Sequence, residues 1–242
     1  ALESVATWRQ VLKGARAWSA SEGSMHLAYH DDELAVLSEF AGRANADGFS
    51  CHLLDPAQTL ARSTHVRSHA LKGALWSPHE LQINPGQAIH RVAAWLQEQW
   101  HVKFERQAHV TACGGGEVRA GQRAWPVDCA WVAPGADLQT LYPEAFATLG
   151  LRRCKLQMMR TAPVNWSLGP ILAGGLTLAH YECFADCPSL AELKSRLAAQ
   201  WPGQKAFGVH VLVSQHEWGE LVLGDSHEYD AAVTPFDKPA ID

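Results

Sequence analysis

Phe207–Asp230, FGVHVLVSQHEWGELVLGDSHEYD, decides how the chain is read. Val209, Val211 and Val213 alternate with His210, Leu212 and Ser214, which is the period-two pattern of a half-buried strand. His216–Gly219 supplies a turn. Glu220–Gly224 then returns as a second strand, with Leu221 and Leu223 on one face. One face of this hairpin is aliphatic; the other carries His210 and Ser214, with Gln215 and His216 at its end. Such a face is either a sheet surface with solvated histidines or the floor of a ligand pocket.

Working outward, Ser189 with Glu192 three residues on has the form of a capping box. It opens a helix whose stripe is Leu190, Leu193, Leu197 and Trp201. Before it, CKLQMMRTAP (154–163) and LTLAHYECF (176–184) read as long strands. Residues 2–18 form an amphipathic helix on Val5, Trp8, Leu12 and Ala15. Ser24–His30 reads as a strand, and Asp31 and Asp32 cap a helix running to about Arg43 with Leu34, Leu37 and Phe40 inward. FSCHLL (49–54) is a short strand. Asp55-Pro56 opens a further helical turn, with proline where its missing N–H costs nothing. Leu71–Trp76 is a strand, and Asn84-Pro85 starts a helix striped by Ile89, Val92, Ala93, Leu96 and Trp100. HVKFERQ, AHVTAC, EVRA and QRAWP are short strands. Val127–Ala133, nearly continuous in apolar character, reads as a fully buried strand ending at Pro134-Gly135-Ala136. A helix over DLQTLYPEAFATLG follows.

The fold class is therefore mixed α/β. The coarse division is a mixed part over residues 1–150 and an antiparallel-rich part over residues 151–242. Strand, glycine turn and helix at 127–150 form the layout of a nucleotide-contacting corner. No GxGxxG accompanies it, since GGGEVRAG has the wrong spacing.

Composition narrows the function classes. The 242 residues carry 20 basic and 25 acidic side chains, a formal charge of -5, with no basic run, which argues against nucleic-acid binding. No apolar run approaches the roughly 20 residues of a membrane span. No signal peptide is visible at ALESVATW, which favours a cytoplasmic protein. The first residue is not methionine, so the chain reads as a trimmed or partial product. Ten tryptophans point to large apolar surfaces, and six scattered cysteines to free thiols.

Sites with chemistry are few. His180, Cys183 and Cys187 lie three and four residues apart with no second pair, so no metal is expected there. Asp225, His227 and Glu228 offer acid–base groups, but no GxSxG elbow supplies a nucleophile. Arg160, inside an apolar strand, needs an anionic partner, either a protein carboxylate or a substrate acid.

GALWSPHELQINPGQAI, VAPGADLQTLYPE, CKLQMMRTAP, LAGGLTLAHYECFADCPSL and the hairpin together resemble FAD-dependent oxidoreductases of the D-amino-acid oxidase, glycine oxidase and sarcosine oxidase type, most closely a bacterial subgroup associated with phosphonate catabolism. The resemblance covers essentially the whole chain as the middle portion of such sequences, without the glycine fingerprint at one end or the second flavin contact at the other. It implies an incomplete Rossmann-like FAD-binding portion (1–150, with interleaved substrate-domain segments) and an antiparallel substrate-binding sheet with one helix (151–242). It further implies an FAD cofactor contacted by Val110, Ala133, Pro134, Gly135 and Ala136. The implied reaction is oxidation of an amine or amino acid, an aminophosphonate among them, by hydride transfer to flavin N5. His210, Ser214, Gln215, Arg160, Tyr181, His79 and His227 are the implied substrate-binding residues. No catalytic base is singled out, because the flavin carries that chemistry. The other expectation is a non-catalytic module unable to hold FAD, whose exposed apolar edges would invite a homo-oligomer.

Overall fold

The computed structural model describes residues 2–230 and 233–241. The elements, in chain order, are α1 (Leu2–Gly14), β1 (Ser19–Ala20), β2 (Ser24–Ala28), α2 (Asp31–Ala46), β3 (His52–Leu54), α3 (Pro56–Arg62), β4 (Gly73–Ser77), β5 (Gln82–Ile83) and α4 (Pro85–Trp100). There follow β6 (Ala112–Gly114), β7 (Glu117–Ala120), β8 (Arg123–Pro126), α5 (Pro143–Thr148), β9 (Arg153–Lys155), β10 (Met159–Arg160) and β11 (Ile171–Ala173). The rest are α6 (Leu176–His180), a single 3₁₀ turn at Glu182–Phe184, α7 (Leu190–Gln200), α8 (Pro202–Ala206), β12 (Leu212–Gln215), β13 (Leu221–Gly224) and β14 (Glu228–Asp230). The mixed α/β class is as expected.

The centre is a seven-stranded sheet in the order β10-β13-β12-β11-β2-β4-β3, drawing strands from both sides of residue 150. Only β2 and β11 pair in parallel; the other neighbours are antiparallel. Alternation along β2 sends Ala28 to one face and Met25 and Leu27 to the other, and each face has its own core. Ala28 and Leu75 pack with Val36, Leu37, Leu178, Phe184, Leu193 and Leu197 from α2, α6, α7 and the 3₁₀ turn. Met25, Leu27 and Ala74 pack beneath Val66, Leu71 and Leu168, with Trp166, Val213 and Leu221 at the margin.

Two close approaches depend on glycine. Gly23 has φ +77°, and a Cβ there would lie 2.2 Å from the Ser77 carbonyl oxygen. Gly219, in the β12–β13 turn, has φ +87° and would meet the Val164 carbonyl at 2.6 Å. The hairpin register is Leu212↔Gly224 through Gln215↔Leu221.

Several expectations need correcting. Residues 176–184 form α6 and the 3₁₀ turn instead of a strand. β11 has β2 and β12 on its two edges, so a strand over 176–184 could not pair beside it. Thr177 Oγ1 instead donates to the Gly174 carbonyl (2.6 Å) as the helix starts. CKLQMMRTAP is broken into β9 and β10, which join different sheets. Ser189 precedes α7 as expected but makes no capping box. Its hydroxyl and N–H both donate to Glu39 of α2, at 2.6 and 3.1 Å. The segment 101–107 is not strand, and Val127–Ala133 is neither strand nor buried: Trp131 is 94% exposed. A buried strand requires neighbours on both edges; here Val127 N–H donates to the Gly116 carbonyl (2.8 Å), and among the described residues the segment joins no ladder beyond that. The helix after Gly135 shrinks to α5. Along α4 the anticipated stripe is only partly covered: Val92, Ala93 and Leu96 are half-buried, while Ile89 is 68% and Trp100 66% exposed.

Candidate functional site

Beyond Leu212↔Gly224 the pairing of β12 and β13 slips by one residue, leaving Val211 out as a bulge. His210 N–H donates to the Asp225 carbonyl (3.1 Å) and Asp225 N–H to the His210 carbonyl (2.8 Å). This fixes His210, only 2% exposed, opposite Asp225, whose Oδ1 lies 3.4 Å from His210 Nε2. The Tyr181 hydroxyl, at the end of α6, is 3.2 Å from the same nitrogen. His180, the last residue of α6, stacks on His210 with ring centroids 3.9 Å apart and planes within 6°. His227 closes the group, 4.5 Å from the His180 ring and 4.7 Å from that of His210.

The loop carrying His227 is held on both sides. Ser226 N–H donates to the Gln157 carbonyl (3.2 Å), and its hydroxyl accepts from Gln157 N–H (3.1 Å). His227 N–H donates to the Phe207 carbonyl at 2.9 Å. Gly208, at φ +59°, lets the chain pass close by: a Cβ there would lie 3.0 Å from the His227 carbonyl oxygen.

Burial, followed by the neighbouring His180, holds His210 below the ordinary imidazole range against the opposing pull of Asp225. His180 is lowered by burial and by His227, again with Asp225 opposing. Burial and the Asp225 carboxylate push the Tyr181 phenol up. The two stacked rings of His180 and His210 thus favour the neutral form, and the Tyr181 phenol beside them favours its protonated form.

Tyr181 also lines a cavity of about 740 Å³ on the helix-covered face of the sheet, together with His26, Phe40, Leu75, His79 and Leu212. The cavity wall is mostly apolar with a few polar groups, the usual make-up of a small-molecule site.

Of the substrate-binding residues anticipated from sequence, His210, Tyr181 and His227 come together. His79 stands apart on the cavity wall, its Nε2 accepting from Ser50 N–H (3.2 Å). Ser214 lies half-buried on β12 opposite Val222. Gln215 is committed to the backbone, donating to the Trp166 and Gly219 carbonyls (2.8 and 3.2 Å) and accepting from Leu168 N–H (2.8 Å). Its polar atoms clamp the hairpin to the 166–168 loop. Arg160 is not a buried arginine: it sits exposed on the edge strand β10, 3.7 Å from Glu220. An outer strand leaves room for its side chain in solvent, and its anionic partner is a protein carboxylate. His180 was missed because a strand reading of 176–184 points its side chains apart. The Gly174-Gly175 pair just before it was the signal for a helix start.

The family model of the FAD dependent oxidoreductases (DAO) matches residues 1–242. The chain belongs to that family. FAD is the family's cofactor. Among solved structures the fold is similar to the L-proline dehydrogenase from P. horikoshii (15% identity, TM-score 0.68, 92% of this chain and 53% of that one). It is also similar to the glycine oxidases from Geobacillus kaustophilus (14%, 0.63, 94% and 55%) and Bacillus cereus ATCC 14579 (10%, 0.61, 96% and 58%). At these identities the likeness is one of fold, and the chain spans about half the length of the structures it matches. No protein of curated function matches it.

The residues present fit the margin of a flavin site. Pro134-Gly135-Ala136 makes a tight turn, with Gly135 at φ +62° and Asp137 N–H donating to the Pro134 carbonyl (3.2 Å). The Ala136 carbonyl accepts from Arg153 Nε and Nη2 at 3.3 and 3.2 Å. The exposed run 127–133 leads into this turn. None of the 242 residues forms a GxGxxG cradle for the pyrophosphate.

Proposed function

We propose that this chain supplies the substrate side of an FAD-dependent oxidation of an amine or amino acid, an aminophosphonate being the finer reading. The observation that carries it is the convergence of His180, His210, His227, Tyr181 and Asp225 at one end of the sheet in a chain of this family. Bound flavin supplies the chemistry by accepting a hydride from the substrate C–H. The protein's part is to bind, orient and exclude water.

In this reading Asp225 attracts the substrate ammonium, and the Tyr181 phenol, kept protonated, donates to an acid group on the same molecule. His210 and His227 form the polar floor against which that group rests. The apolar wall of Leu75, Phe40 and Leu212 limits the side chain that fits. Val110 and the Ala133–Ala136 turn would hold the flavin nucleotide. The two parts of the chain, residues 1–150 and 151–242, would then divide cofactor and substrate duties, with the strands before Ile83 lent to the substrate sheet.

Anaerobic mixing of the FAD-loaded protein with a panel of amino acids, amines and aminophosphonates tests this reading. Bleaching of the flavin absorption by one class, slowed at least tenfold by Tyr181→Phe, is the expected result. A second reading, a module that folds its substrate sheet but holds no FAD, is favoured by the uncovered 127–133 run. A colourless protein whose added FAD stays fully dialysable establishes that second reading over the first.

A further inference from the structure

The three imidazoles at the end of the sheet have more in common than a substrate wall requires. One ring nitrogen from each of His180, His210 and His227 lies within 4.8 Å of the other two. Two nitrogens of the group, Nδ1 of His210 and Nδ1 of His227, are buried without any hydrogen-bond partner. Leaving a buried polar atom in that condition is costly, and two such atoms in one cluster call for an explanation, of which an unfilled ligand position is one. The backbone that supports them is tied down: His210 pairs with Asp225, Ser226 bonds Gln157 in both directions, and His227 N–H donates to the Phe207 carbonyl.

We infer that His180, His210 and His227 form a binding site for a single divalent transition-metal ion of the zinc class. Imidazole nitrogen suits zinc, nickel and copper, whereas magnesium and calcium prefer oxygen. Asp225, 3.4 Å from His210 Nε2, supplies the carboxylate that orients a ligating histidine and balances the metal charge. Tyr181, on the same nitrogen, provides a further hydrogen bond. Three protein ligands leave a fourth position for water or for an anionic group of a small molecule, the arrangement of an open zinc site and not a closed structural one.

Metal–nitrogen distances of about 2.1 Å require the three nitrogens to draw closer than 4.8 Å. His180 is the member that moves: it is only half-buried, ends a five-residue helix, and must leave its parallel stack on His210 to direct a lone pair at the ion. The alternative thiol set, Cys183 and Cys187, does not join the group, because Cys187 is buried in the α2–α7 core.

The proposal concerns the cluster itself and does not depend on the chain oxidising anything. It is therefore tested without flavin or substrate. The full chain, stripped with chelator, is titrated with Zn²⁺ alone by calorimetry, with Mg²⁺ as control and circular dichroism to verify the fold of each variant. The expected result is one Zn²⁺ per chain, a rise in Tm with Zn²⁺ but not Mg²⁺, and affinity at least tenfold weaker in both His180→Ala and His227→Gln. Asp225→Asn weakens binding by a smaller factor. Cys183→Ser leaves it unchanged, and X-ray absorption shows nitrogen and oxygen neighbours without sulfur. Binding that survives both histidine variants, binding lost in Cys183→Ser, or no heat with Zn²⁺ overturns the site. Stabilisation by inorganic phosphate alone, without Zn²⁺, also overturns it, and identifies the cluster as an anion site.

Discussion

The sheet with its helices and the stretch from α4 to α5 are built from equally apolar sequence but are packed very differently. In the seven-stranded sheet, every strand except the exposed edge strand β10 contributes to a core on one or both faces, and Met25, Leu37, Leu75, Leu178 and Leu193 are sealed from solvent. In the stretch from residue 85 to 150 only Ala88 and Ala120 are buried hydrophobics, while Ile89, Trp100, Trp131 and Leu149 stand out into solvent. The difference teaches that an apolar pattern specifies a face but not what covers it. The α2 stripe meets a sheet; the α4 stripe has the same periodicity but is only half covered, and Ile89 and Trp100 stand in water.

The comparison is broken most severely by disconnecting α7 from α2. Arg196 Nε and Nη2 donate to both oxygens of Asp32 (2.6 and 2.9 Å), and Nη2 also donates to Glu33 (2.9 Å). Glu33 in turn accepts from the Tyr29 and His30 N–H groups, which completes the start of α2. Burial pushes the Asp32 carboxyl up, but pairing with Arg196 outweighs this and holds it below the usual carboxylate range. Arg196→Met strands two largely buried carboxylates, and urea unfolding is expected to show a loss of about 3–5 kcal/mol. A loss below about 1 kcal/mol would mean the helix layer is no better fastened than the α4 region.

Much of the sheet side was legible because its signals are local. β2, α2, α3 and the β12–β13 hairpin each carry a period, a cap or a turn within a dozen residues, and each appears where read. The site was half legible: His210 and His227 stood out on the hairpin, but His180 reaches them only because residues 176–180 coil into a helix. Both edges of β11 just before it are taken by β2 and β12, a relation that no local pattern records. The same blindness affects 127–133, where an apolar run was read as a strand although a strand is a relation to neighbours.

A smaller effect comes from His26, on the helix-covered face of β2 with its ring edge-on to Phe184 at 5.5 Å. Burial lowers its pKa from the usual 6.5 to about 4. The folded protein therefore binds fewer protons than the unfolded chain between those values. Its contribution is fully present above about pH 6.5 and is lost as pH falls toward 4. His180 and His210 are lowered in the same sense, so the difference between wild type and His26→Gln isolates the effect. That difference in unfolding free energy is expected to change by roughly 1–3 kcal/mol between pH 7 and pH 4, the variant being the less acid-sensitive. A constant difference would show that this face of the sheet is wetter than its packing implies.

The smallest expected effect sharpens the comparison most. Trp131 is the largest apolar side chain in the uncovered segment and the most exposed in it. It gains nothing from folding if it is as solvated folded as unfolded, so Trp131→Ser should shift unfolding free energy by no more than about 0.5 kcal/mol. An indole held in water does favour contact between copies, so the variant should elute more nearly as a monomer at high concentration in size-exclusion chromatography. A loss of 3 kcal/mol or more, in the range of a buried tryptophan, would be incompatible with an open segment. It would mean that something in the folded protein covers residues 127–133, and the contrast between the sealed sheet and the bare stretch beside it would no longer hold.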